Sequence, residues 1–125
     1  MGAHDWADVR VENRPEGVAC LAVVGEADIA DVPRIRKAID SAFCSGPSAL
    51  IVDLRGVTFM GSEGLRLLLE TQLCARRRRT DLRIHVAPGP AYRVMTITGC
   101  ASRLPLMLEE APTIESANGR PAERL

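Results

Sequence analysis

The residue best placed for chemistry is Ser62, which follows an apolar run at 49–54 and a short intervening stretch, just where a helical pattern begins. A hydroxyl at a helix start caps free N–H groups, and a phosphate there meets both those groups and the positive end of the helix dipole. Phosphorylation at such a point adds about −1.5 to −2 charge without requiring the helix to unfold. On helix-start chemistry alone, a plain N-cap serine is the simpler account.

Other reactive groups are sparse. Asp53 lies on the apolar run and is a candidate acid or base, although a strand-end carboxylate bonded to loop amides is the simpler reading. The histidines are His4 and His85, and neither stands near a candidate nucleophile in sequence. No G-x-G-x-x-G and no G-x-x-x-x-G-K-S/T follows a strand, so neither dinucleotide nor P-loop binding is expected. Cys20, Cys44, Cys74 and Cys100 are far apart and in apolar company, which argues for buried or partly buried reduced thiols rather than a zinc site or disulfide framework. A small α/β enzyme using Asp53 or a cysteine nucleophile therefore has little support, and neither an enzyme, a cofactor nor a metal is expected.

Composition narrows the field further. The 125 residues carry 16 basic and 16 acidic side chains, a formal net charge of zero, and only 3% aromatic residues. A neutral chain without aromatic interleaving is a poor nucleic-acid binder, and no apolar stretch approaches the roughly 20 residues that span a bilayer. No signal-peptide pattern opens the chain. The expectation is a single cytoplasmic domain, monomeric or weakly dimeric, with its core at about 8–117 and a frayed tail at 118–125.

The elements that must position Ser62 follow from periodicity. Alternation at 8–12, turn chemistry at 13–17 and an apolar run at 18–25 predict an antiparallel hairpin. Asp31 is a candidate cap for a helix in which Val32, Ile35, Ala38, Ile39, Ala42 and Phe43 recur at helical spacing, stopped by Ser45, Gly46 and Pro47. The run 49–54 predicts a central strand buried on both faces, followed by a loop at 55–61. From Ser62 a second helix carries a stripe of Leu65, Leu68, Leu69 and Leu73, with Arg76 to Arg79 solvated at its negative end. A strand at 82–86, a helix at 91–98 closed by Gly99, a short strand at 104–108 and a helical turn at 113–117 complete the order. The pattern predicts an α/β fold, a mixed-direction sheet of about four to five strands packed with about four helices.

Two motifs then add a resemblance. DLRGVTFMGSEGL, preceded by GEAD at 25–28, resembles the STAS domain of bacterial anti-sigma factor antagonists, whose signature runs approximately D-L-S-x-V-x-F-M-D-S-S/T-G-L after an upstream G-E-L-D. AYRVMTITGC resembles that family's third helix and its glycine. The resemblance implies partner switching: the unphosphorylated protein binds an anti-sigma factor that is itself an ATP-dependent serine kinase, a sigma factor is released, and a phosphatase later resets the cycle. ATP then belongs to the partner kinase. By the resemblance Ser62 is the phosphoacceptor, and Asp28, Gly61, Ser62, Glu63, Gly64, Leu65 and Arg66 form the partner surface.

The sequence departs from the signature beside the acceptor. Gly61 stands where the family has aspartate, and Glu63 where it has serine or threonine. Glu63 favours the helix start by about 0.3 to 1 kcal/mol, but it also repels a phosphate on Ser62 or imitates one. Arg66 lies four residues on, on the same helix face, where it can offset Glu63 or pair with a phosphate. The alternative expectation is a STAS scaffold or ligand-sensing module that no longer responds to phosphorylation.

Overall fold

A computed structural model describes residues 8–109. The chain runs β1 (Asp8–Arg14), β2 (Val18–Ala27), α1 (Val32–Cys44), β3 (Ala49–Met60), α2 (Ser62–Arg78), β4 (Asp81–Val86), α3 (Pro90–Ile97) and β5 (Leu106–Leu108), with 3-10 turns at Ile29–Asp31 and Cys100–Ser102. The strands form one sheet in the order β1-β2-β3-β4-β5; β1 is antiparallel to β2 and the other neighbours are parallel. This is the mixed α/β sheet expected from the alternation of strands and helices. The helical turn expected at 113–117 and the tail at 118–125 lie outside the described residues.

Local chemistry explains most boundaries. Gly17 closes the first hairpin at φ +80°, donating to the Arg14 carbonyl at 3.2 Å, a conformation that glycine takes without a Cβ penalty. In α1, Val32, Ile35, Ile39, Ala42 and Phe43 are buried, the one-faced pattern read from their spacing. Leu50, Val52 and Leu54 alternate with half-buried residues along β3 and build the core face, Leu50 opposite Ala19 and Leu82, and Val52 opposite Leu21 and Ile84. Val23, Val52, Ile35, Ile39, Leu67 and Leu68 enclose a void of about 20 Å³, so α1 and α2 meet over this face of the sheet.

Four details differ from the sequence reading. The stretch 55–60 is strand rather than loop, because β2 continues beside it to Ala27, with register irregularities at Ala22/Val24 and Gly25/Glu26 absorbing the mismatch. β3 is buried on one face and only half-buried on the other. On α2 the inward stripe follows Gly64, Leu68, Thr71 and Ala75 with Leu65 and Leu67 at its margins, which turns Leu73 to the opposite side, 51% exposed. Cys44, at the end of α1, is exposed.

Candidate functional site

Ala27 and Met60 are register partners at the ends of the adjacent parallel strands β2 and β3. The chain therefore leaves the sheet at neighbouring points, toward Asp28 on one side and Gly61 on the other. The carboxyl end of parallel strands is where α/β sheets expose loops and helix starts together. Gly64, in the first turn of α2, closes the gap: a Cβ there would stand 3.0 Å from Met60 Cγ and 3.7 Å from the Ala27 carbonyl oxygen. The start of α2 is thus seated directly on the end of β2.

Each of these loops is fixed by its own hydrogen bonds. The Asp28 carboxylate accepts the Ile29 N–H at 2.7 Å, and the Asp28 N–H donates to Asp31 Oδ2 at 3.4 Å. Asp31 stands at the α1 N-cap as expected, yet its side chain caps no amide of α1; 1% exposed, it takes Arg34 at 3.1 Å and reaches back to Asp28. The sequence reading missed this role for Asp31, since a cap and a backward brace draw on the same residue type. Asp28 itself remains exposed beside Ile29, which is 65% exposed.

Ser62 is exposed and is the first residue of α2. The N-cap position belongs to Gly61, at φ −92° and ψ −177°, and no side chain caps the helix there. The expected serine cap is therefore corrected by one residue: the N-cap is Gly61, and the Ser62 hydroxyl makes no capping bond. The Gly61 carbonyl takes the Leu65 N–H at 3.2 Å, while the earlier amides of this turn have no intrahelical partner. Glu63 is half-buried, Leu65 and Gly64 are buried, and Arg66 is exposed on the next turn. Phe59, 44% exposed, lies against Gly61, whose Cβ position is 3.7 Å from the ring. An exposed hydroxyl at a helix start, rimmed by one carboxylate, one guanidinium and apolar side chains, suits recognition by a protein surface and acceptance of a phosphoryl group.

A family model described as "Mlab, STAS domain" matches residues 11–109. The chain belongs to the STAS domain family. It is 38% identical over 71 residues to the anti-sigma-F factor antagonist RsfB of Mycobacterium tuberculosis, a match covering 57% of each chain. Its fold is similar to the crystal structure of an anti-sigma factor antagonist from Mycobacterium paratuberculosis, with 29% identity, a TM-score of 0.73, and 95% and 97% of the two chains covered. SpoIIAA in its unphosphorylated form shares the fold at 20% identity and a TM-score of 0.69, covering 89% of this chain and 93% of that one. SpoIIAA of Bacillus in its phosphorylated form does so at 23% and 0.63, covering 90% and 97%.

Elsewhere on this STAS domain, the groups considered for enzyme chemistry are held in other roles. Asp53 is a mid-strand residue, not a strand-end one, and Arg55 grips both its oxygens at 2.9 Å while the Arg55 N–H donates to Oδ1 at 3.0 Å. Burial alone would push the Asp53 carboxyl up; the Arg55 hydrogen bonds and charge, helped by His85, outweigh it and hold it below the usual range. Glu109 joins this network, 3.3 Å from Arg55 and 3.1 Å from His85 Nδ1. Burial raises the Cys20 thiol, which disfavours a thiolate. A carboxylate locked to a guanidinium is a poor base, and a raised thiol is a poor nucleophile.

The arginine run is also more engaged than a solvated terminus. Arg78 stacks over the Phe43 ring at 5.3 Å and donates to the Phe43 carbonyl at 3.3 Å, tying the ends of α1 and α2 together. Among the described residues no helix is long and apolar enough to cross a membrane, and no three His, Cys, Asp or Glu side chains cluster as a metal site.

Proposed function

We propose that this STAS protein is an anti-sigma factor antagonist that binds a serine-kinase anti-sigma factor through the surface around Asp28 and Ser62, and that phosphate on Ser62 releases the partner. The observation that carries this reading is the exposed, uncapped Ser62 hydroxyl at the first position of α2, seated at the strand ends beside the Asp28 loop. Asp28, Gly61, Glu63, Gly64, Leu65 and Arg66 frame the contact in this proposal, Gly64 and Leu65 by fixing the helix start and the others at the surface. The resemblance to RsfB and to the paratuberculosis protein supports the role, as their names describe them. A phosphate on Ser62 adds about −1.5 to −2 charge at the contact, where it meets the open amides of α2 and lies one turn from Arg66. Cytoplasmic action and reset by a phosphatase belong to the same proposal.

Capture of partners from the native cell with wild type, Ser62→Ala and Ser62→Asp baits tests it. The reading expects a kinase-type anti-sigma factor on the first two baits and its loss from the third, together with phosphate on Ser62 of the endogenous protein. Gly61 and Glu63 favour one second reading, a STAS module that has left the phosphorylation cycle. That reading expects the same partner on all three baits and no gain of phosphate by intact mass after incubation with kinase and ATP.

A further inference from the structure

β1 is an edge strand, and among the described residues nothing pairs with its outer side. Its side chains alternate between the two faces of the sheet. Val9 and Val11 are register partners of Val23 and Leu21 and share the core face, where they floor a groove of about 320 Å³ against α1. Val11 is 40% exposed at that edge. Asp8, Arg10, Glu12 and Arg14 occupy the opposite face, all exposed, in strictly alternating sign.

Charges on an edge strand ordinarily keep other strands away. Alternation of sign does something more selective, because cross-strand neighbours attract or repel in pairs. In an antiparallel pair of two β1 strands centred on Val11, Asp8 faces Arg14 of the second copy and Arg10 faces its Glu12; the two-fold repeats both, so every charged pair is attractive. Centred on Arg10, that arginine faces itself and Asp8 faces Glu12. Centred on Glu12, that glutamate faces itself and Arg10 faces Arg14. A shift by an odd number of residues sets the charged face of one strand against the valine face of the other. A parallel pair of the same outer edge turns one sheet over relative to the other, which again sets the charged face of one strand against the valine face of the other. One antiparallel register therefore satisfies all the charges and buries Val11 against Val11.

The geometry points to β1 as a self-pairing edge: a second copy of this chain adds its β1 antiparallel about Val11, joining the two sheets into one across a two-fold axis. The Asp8–Arg10 contact within the strand is 3.5 Å, between side chains 66% and 63% exposed, so it leaves both groups solvated and able to turn to the partner strand. The pairing uses neither Ser62 nor Asp28, which follow the carboxyl ends of β3 and β2, past the last β1–β2 register pair at Asp8 and Val24. It therefore stands apart from the proposed partner switch, and it is lost with rising salt because its charges are exposed.

Sedimentation equilibrium of the full chain, at several concentrations and ionic strengths, tests the pairing. Two double variants give β1 a single sign: Arg10→Glu with Arg14→Glu, and Asp8→Lys with Glu12→Lys. Wild type is expected to dimerise more weakly in high salt, each variant to be monomeric with at least a hundredfold higher dissociation constant, and an equimolar mixture of the two to recover a dimer. Wild type that stays monomeric throughout, variants that dimerise as wild type does, or a mixture that recovers nothing overturns the inference. Register is read separately by oxidation in a Cys44→Ser background. Directly opposed Cα atoms lie about 4.5 or 5.5 Å apart, within disulfide range, so Val11→Cys should cross-link and Val9→Cys should not. Equal cross-linking at both positions overturns the register.

Discussion

Two glycines at the start of α2, Gly61 at the N-cap and Gly64 in the first turn, look alike in the sequence and differ in what surrounds them. Gly61 has an ordinary extended N-cap backbone, and a Cβ there would make only van der Waals contact with Phe59 at 3.7 Å. Gly61→Asp should therefore fit and cap an open amide, raising stability by about 0.5 to 1 kcal/mol in urea titration; a loss would mean that the helix start is arranged differently. Gly64 is the opposite case. Its Cβ would stand 3.0 Å from Cγ of Met60, a side chain only 4% exposed, so backbone or core has to move. Overpacking costs about 1 to 3 kcal/mol and the helix-propensity gain returns about 1, so Gly64→Ala should be destabilising by roughly 1 kcal/mol. The positions of both glycines were legible from the motif, but not which of them the fold requires, because that depends on Met60 coming under the helix from β3.

Between elements, the structure turns on where strands and helices end. The stretch 55–61 reads as loop in the sequence, yet β3 continues to Met60 beside β2, carrying one extra residue of its own at each register irregularity, between Asp53 and Gly56 and between Val57 and Phe59. Pairing across strands was not visible in a one-dimensional pattern. β3 also carries the Asp53–Arg55 pair, whose partners are two residues apart and so share a face. Because the folded carboxyl titrates below the unfolded value of about 3.9, the pair contributes its full stability above that value and loses it as pH falls through the lower folded one. Arg55→Met should thus cost roughly 1 to 3 kcal/mol at neutral pH, and the gap from wild type should narrow below about pH 4 in urea melts. At the far end of α2, Arg79 adopts a left-handed backbone at φ 58°, the one such non-glycine among the described residues. Arg79→Gly should stabilise the domain by up to about 1 kcal/mol, seen as a raised midpoint of unfolding, since glycine takes that conformation without a Cβ clash.

At the scale of the molecule, the order of elements and the parallel crossovers were readable because each strand and helix carries its own period, while depth of burial was not, since it belongs to the assembled layers. The cysteines make the difference measurable. All four sit in apolar company in the sequence, and the fold then separates them: Cys44 is exposed at the end of α1, Cys20 and Cys74 are half-buried, and Cys100 is buried beside the end of α3. Alkylation needs both access and thiolate, and the Cys20 thiol is shifted away from the thiolate by its burial. Under native conditions near pH 8, mass-resolved labelling should therefore modify Cys44 first, by at least tenfold over the others. Cys20 should lag behind its exposure, and Cys100 should be modified only through opening of the domain, so that its rate rises with urea in step with global unfolding. Cys100 labelling that is fast and insensitive to urea would show that the α3 side of the core opens locally, independently of the sheet.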